Sequence, residues 1–328
     1  MNRTISVFAL TAVLMLTVSA CAGGAPAQKA EYPAKDKVIT MIVPGPAGGG
    51  NDVAMRALVP DVEPLLGTTI QVVNKAGAAQ QAGNTELAQA KPDGYTFGYP
   101  SVNPLIVQYL DSQRKAVYKR DSFQSVAGHV ALPLMIAVRS DSPYKSVKDL
   151  IDAAKARPEE IKVGCADRLD QTHLAWLALE KMTDTKFAIV NFAGGNEQIT
   201  SLLGGHVDAQ CGNSINFMPN FKAGQFRILG IMDKEPNKLY PGVPTMESQG
   251  YPMQELSTRA VLAPAGTPKD IVETVSAAIK KAMETEAHKK KADDLGMSLR
   301  YMGPDELDAY WTKIEASTKE LMQRALER

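Results

Sequence analysis

The segment that most constrains this 328-residue chain is residues 44–51, Pro-Gly-Pro-Ala-Gly-Gly-Gly-Asn. It stands between a β-rich apolar run, residues 38–43, and a helix-periodic run, residues 52–66. The first run fits a strand buried on both faces. In the second, Val53, Ala54, Ala57, Leu58, Val62, Leu65 and Leu66 recur at roughly helical spacing. Pro60 and Pro64 predict a kink or an early end, and Gly67 a stop. Gly48, Gly49 and Gly50 have no Cβ, so the backbone can approach a bound group closely. The first amides of the helix lack partners within it and, with the helix dipole, favour an anion such as a carboxylate. Gly45, Pro46, Ala47, Gly48, Gly49 and Asn51 are therefore candidate ligand contacts. The same stretch also reads as a purely structural strand–helix turn.

The alternation continues. Residues 70–73 and 95–99 read as strands. Between them lies a short helix capped by Asn84 or Thr85, and after them the loop Pro100-Ser101-Val102-Asn103. Right-handed crossovers make such a βαβαβ unit a parallel, layered sheet. A second unit follows: strand 161–165, helix 171–181, strand 187–192, turn 193–196, helix 197–203 and strand 207–211, with a further strand at 227–232. Two strand-like runs, 132–138 and 256–262, are the expected crossings between two lobes. Thr267 and Pro268 open a helix that runs to about residue 286, and Gly303-Pro304-Asp305-Glu306 opens a last one. Leu307, Tyr310, Trp311 and Ile314 form its apolar stripe, and both helices are expected to complete the first lobe.

The 36 basic and 36 acidic residues cancel, and aromatics make up only 6%. No nucleic-acid partner or polybasic membrane surface is expected from these totals. At the N-terminus Arg3 precedes an apolar run, residues 5–18, too short for a comfortable membrane span. Val18-Ser19-Ala20-Cys21 then resembles a bacterial lipobox. In that reading residues 1–20 are a signal peptide, Cys21 is lipidated at the outer face of the membrane or in the periplasm, and residues 21–35 are a tether. An ordinary signal peptide cut near residues 20–22 is the alternative.

Taken in order, several fragments resemble the substrate-binding proteins of tripartite tricarboxylate transporters, the Bug-type receptors. These are Ile42-Val43-Pro44 with residues 47–52, then Lys91-Pro92-Asp93-Gly94-Tyr95-Thr96, then His173-Leu174-Ala175. Asn191-Phe192-Ala193-Gly194-Gly195, residues 202–208, Val243-Pro244-Thr245 and residues 263–268 follow. The resemblance implies a two-lobed α/β periplasmic-binding-protein fold of type II, with the ligand cleft between lobes. It implies lobe one at 36–135 plus 257–328 and lobe two at 136–256. It further implies no catalytic chemistry, no cofactor, a monomer, a small organic anion as ligand and membrane permease subunits as partners. The first glycine turn and Gly194-Gly195 become the expected carboxylate clamps. Presentation of the ligand to a sensor kinase, or an exported enzyme using the same cleft, are the alternatives.

Two departures from the family pattern bear on the ligand. Thr258-Arg259 stands where the family commonly has a tryptophan, and the loop opening the lobe-two helix is the charged Cys165-Ala166-Asp167-Arg168-Leu169-Asp170. Arg168 and Arg259 could each grip a second carboxylate bidentately, or form a surface salt bridge. Ala166, Asp167 and Asn213 complete the lobe-two candidates. Asp52 reads as a ligand contact or as a helix cap. Ser101 and Asn103 read as donors to a ligand or as plain loop residues. His173 and His206 lack metal-ligand spacing and read as structural. Cys165 and Cys211 both end strands. If the lobe winds as the family does, these strands are neighbours, leaving either a disulfide or two free buried thiols.

Overall fold

The structure, a computed structural model, describes residues 32–77, 80–166, 168–192 and 195–326. The expected leader, Cys21, Asp167 and Gly194 lie outside these residues. Of the expected tether, only residues 32–35 are described, beginning with Tyr32. That residue packs on Tyr95 and its hydroxyl donates to the Gly94 carbonyl (2.5 Å), while the Ala34 amide donates to the Tyr95 hydroxyl (3.0 Å).

In the first half, β1 (Ile39–Val43) lies between β2 (Ile70–Asn74) and β3 (Thr96–Gly98), all parallel. Helix α1 (Gly50–Leu66) runs through both Pro60 and Pro64 without ending early. Burial of Leu58, Val59, Val62 and Leu66 outweighs the two lost backbone bonds, and Gly67 ends the helix in the left-handed conformation. Helix α2 (Gln81–Ala88) starts before Asn84, which is buried inside it. The expected loop after β3 is instead the first turn of α3 (Val102–Leu110), with Ser101 at its N-cap.

The backbone of the molecule is β4 (Phe123–Arg139), seventeen residues of which all but Gln124 and Arg139 are buried. It contains one expected crossing, and β9 (Leu256–Pro264) contains the other. β9 pairs antiparallel with β4 from Phe123↔Pro264 to Pro133↔Leu256, and β10 (Leu299–Met302) pairs with β4 at Val130 and Gly128. From Leu134 onward β4 changes partners. It now pairs antiparallel with β7 (Ala209–Asn213) and β8 (Phe226–Ile231). Beyond β7 lie β5 (Lys162–Cys165) and β6 (Ala188–Asn191), both parallel to it.

Strand direction places the site. β3 is antiparallel to β9, and β9 to β4, so β1–β3 run with β4. β5–β7 run against it. The carboxyl ends of the two parallel sets therefore face each other across the middle of β4. Ligands in open α/β sheets sit at such ends.

Helices α4 (Val147–Ala156), α5 (Gln171–Thr183), α6 (Gly195–Leu203) and α7 (Ser214–Lys222) belong to the second half. Helices α8 (Lys269–Glu284), α9 (Glu286–Asp294) and α10 (Pro304–Leu326) follow β9. Thr267 does not cap α8; its hydroxyl turns back to the Pro264 carbonyl (2.8 Å), and Pro268 takes the N-cap position. The last helix serves both halves. Trp311 is buried with Leu105, Leu262 and Leu307 of the first. Farther on, Leu321, Met322 and Ala325 pack on Leu174 and Leu177 of α5, and Glu320 pairs with Lys181.

The thiols of Cys165 and Cys211 are separate and buried. Neighbouring register pairs are Val163↔Ala209 and Gly164↔Gln210, so the strands are adjacent as expected. The Cys165 sulfur, however, is directed the other way, donating to Asn191 Oδ1 on β6 (2.9 Å). Burial pushes the Cys211 thiol well up.

Candidate functional site

The glycine turn is anchored to β2. The Gly45 amide donates to the Lys75 carbonyl (3.2 Å), and Lys75 donates to Val43 (2.9 Å). Gly48 has φ +75°, a left-handed value that glycine adopts without strain. Gly49 occupies the N-cap of α1, where no side chain caps the helix. Asp52 works inside the turn. Its carboxylate accepts from the Gly48 amide (2.8 Å) and from Arg56 Nε (2.8 Å), and Arg56 reaches on to Asn74 (3.0 Å). Burial raises its pKa, but these bonds outweigh that and hold the carboxyl below the usual range. Asp52 thus braces the glycine turn against the first turn of α1.

Arg259 lies at the floor of the first half's edge. It pairs with Val130 on β4 and bridges Ser101 on the other side. Only 6% of it is exposed. Its Nη2 lies so close to the start of α1 that a Cβ on Gly50 would stand 2.7 Å from it. Gly50 is thus the residue whose missing side chain admits the guanidinium. Nε and Nη1 have no hydrogen-bond partner, and among the described residues no carboxylate pairs with Arg259. Burial works against its charge and lowers its pKa. A buried unpaired cation is costly. Both it and the neighbouring helix N-terminus favour an anion.

Three loops of this edge are cross-linked. Ser101 Oγ donates to Asn51 Oδ1 (3.0 Å). Gln80 Oε1 accepts from Asn51 Nδ2 (3.3 Å) and the Ser101 amide (3.4 Å). Sequence reasoning missed Gln80, a non-glycine residue at φ +83° that no local motif announces. Asn103 is buried on the first turn of α3, and its Oδ1 has no partner.

The facing edge carries no buried arginine. Asn213 Oδ1 and Ser214 Oγ, at the β7–α7 junction, are buried atoms without partners. The Ala166 amide is used locally, donating to Thr172 Oγ1 (2.9 Å), and Arg168 is exposed. Gly195 begins α6. His173 accepts from the Leu169 amide (2.9 Å) through Nδ1, as a structural residue does. Among the described residues no cluster of His, Cys, Asp and Glu could hold a metal ion.

The family model described as the tripartite tricarboxylate transporter family receptor matches residues 54–325. The chain belongs to that family. The receptor is 30% identical over 280 residues to protein BugT of Bordetella pertussis, covering 85% of each chain. Among solved structures it resembles a TctC solute-binding protein from Polaromonas (29% identity, TM-score 0.79), over 90% of this chain and 100% of that one. MatC from Rhodopseudomonas palustris with bound malate shares the fold at 24% identity (TM-score 0.71), over 88% of this chain and 99% of that one. The receptor is therefore a solute-binding protein with the two-lobed α/β fold of periplasmic receptors, its cleft between the lobes.

Proposed function

We propose that this receptor captures a small carboxylate-bearing metabolite between its two strand-end edges and delivers it to the permease of a tripartite tricarboxylate-type transporter. Lobe one comprises 36–135 with 257–328, and lobe two 136–256. They close on the ligand as hinged bodies about β4 and β9. The observation that carries the reading is Arg259, a buried guanidinium whose Nη2 lies close to the start of α1 and whose Nε and Nη1 are unanswered. Charge-assisted bonds from one edge of the guanidinium to a carboxylate offset its desolvation. Malate bound to MatC supports a small acid as the ligand class. The reading includes a signal peptide at 1–20, a lipid on Cys21 and a monomeric receptor.

A thermal-shift screen against mono-, di- and tricarboxylates, malate included, tests it. An acid at a hundred times its Kd adds about 2.7 kcal/mol, several degrees in Tm for a chain of this size. A flat screen on protein free of co-purified ligand contradicts the carboxylate reading.

A further inference from the structure

Beneath Arg259 runs a line of hydrogen bonds that ligand contact alone does not explain. Tyr99 Oη lies 2.6 Å from His129 Nδ1, His129 Nε2 lies 3.1 Å from His288 Nε2, and His288 Nδ1 lies 2.8 Å from Asp61 Oδ2. Lys291 Nζ donates to both Asp61 oxygens (2.8 and 2.6 Å). Tyr99 and both histidines are fully buried, whereas the Lys291 side chain is 38% exposed. The line therefore leads from the site floor to the surface. His129 is the extra residue of a β-bulge: Gly128 pairs with Ala260 and Val130 with Arg259, leaving His129 without an opposite number. Bulges re-aim side chains and gather beside functional sites.

We propose that Tyr99, His129, His288 and Asp61 form a chain, within electrostatic reach of Arg259, that links anion capture to uptake of one proton. This rests on the reading of Arg259 as the anion anchor. Asp61 accepts from His288 Nδ1–H. With both imidazoles neutral, His288 Nε2 is then bare and must accept from His129 Nε2–H. His129 Nδ1 is bare in turn and accepts the Tyr99 hydroxyl proton. Every bond is filled, and the Tyr99 oxygen is left with only lone pairs free. Add one proton to the pair. Whichever imidazole carries the charge, His129 Nδ1 now bears hydrogen, so Tyr99 must accept from it and its own O–H is released. The chain thus has two complete arrangements that differ by one proton and by the direction of the Tyr99 bond.

The surroundings set the sign. His129 on β4 faces Tyr99 beyond β3, His288 on α9 and the charge of Arg259 on β9. His288 faces Asp61 on α1, itself bound by Lys291. The buried face of α8 carries apolar side chains and Ser276. Burial first, then His288 and Arg259, hold the His129 imidazole well below the ordinary histidine value. An anion on Arg259 offsets the last of these, favours the protonated arrangement and therefore binds more tightly as pH falls.

Ring-nitrogen NMR of the protein labelled with ¹⁵N tests this without any ligand. The expected result is a bare His129 Nδ1 at pH 8 that gains hydrogen at acidic pH. Arg259→Gln should move that midpoint up, and Asp61→Asn should move it down, each by about half a pH unit or more. A hydrogen on His129 Nδ1 at pH 8, or a midpoint that ignores Arg259→Gln and Asp61→Asn alike, overturns the proposal. Neither outcome depends on the carboxylate screen, so the two readings fail separately. With malate as probe, an upward shift of the midpoint would support the linkage.

Discussion

The two edges that meet across β4 are built on different principles. The first concentrates charge and rigidity: Arg259 lies under Gly50, and Asn51, Gln80 and Ser101 lock three loops together. Among the described residues the second offers the neutral Asn213 and Ser214, both with unpartnered buried atoms, and its Arg168 is exposed rather than buried. The difference teaches that the work is divided. On the proposed reading the first edge holds an anion before the second arrives, because Asn51, Gln80 and Ser101 already tie its loops together. The second edge adds hydrogen bonds whose value depends on what else the ligand carries.

The sharpest way to break this division is Arg259→Gln. Losing one partner of a buried charge pair costs about 3 kcal/mol, so affinity for a carboxylate found in the screen should fall about a hundredfold by calorimetry. The ligand-free protein should keep its Tm or gain, because an unpaired buried cation has been removed. A matching loss from Asn213→Ala would erase the contrast; the account expects only a few-fold change there, the size of one neutral hydrogen bond.

A subtler variant is Gly50→Ala. Its Cβ would lie 2.7 Å from Arg259 Nη2, the far end of a flexible side chain, so the guanidinium moves and the fold survives. About tenfold weaker binding with little change in Tm is expected, and unchanged affinity would mean that Arg259 is not held where the anion sits.

Much of the fold was legible in the sequence because alternating apolar runs and glycine stops report local physics directly. The βαβαβ units, the strand runs that became parts of β4 and β9 and the α10 stripe of Leu307 and Trp311 follow from periodicity. What was illegible depends on partners distant in sequence. Nothing near Pro60 or Pro64 says that buried neighbours carry α1 through both prolines. Nothing near Cys165 says that its sulfur turns toward Asn191. Arg259 could be suspected, but its isolation becomes visible only when α1 is laid over it. Gln80 and the His129 bulge were beyond reach, since neither has a local motif.

A last expected effect lies at the seam rather than on either edge. Glu255 lines a small cavity with Asn103, Gln171 and Thr318, between α3, α5 and α10. Burial pushes its carboxyl up to about 7 from an ordinary value of 4.5. The folded form therefore keeps a proton that the unfolded chain releases, and stability falls as pH rises between those values. Glu255→Gln should raise the unfolding free energy measured by urea titration at pH 8 by up to about 3 kcal/mol and leave it nearly unchanged at pH 4. An equal effect at both pH values would remove the carboxyl from the explanation.

The most direct test of the central claim is a crystal structure with the acid that gives the largest thermal shift. The account predicts one carboxylate on the Arg259 guanidinium and the first amides of α1, with the rest of the ligand turned toward Asn213 and Ser214. A ligand carboxylate held by the second edge, with Arg259 left unpaired, would contradict it.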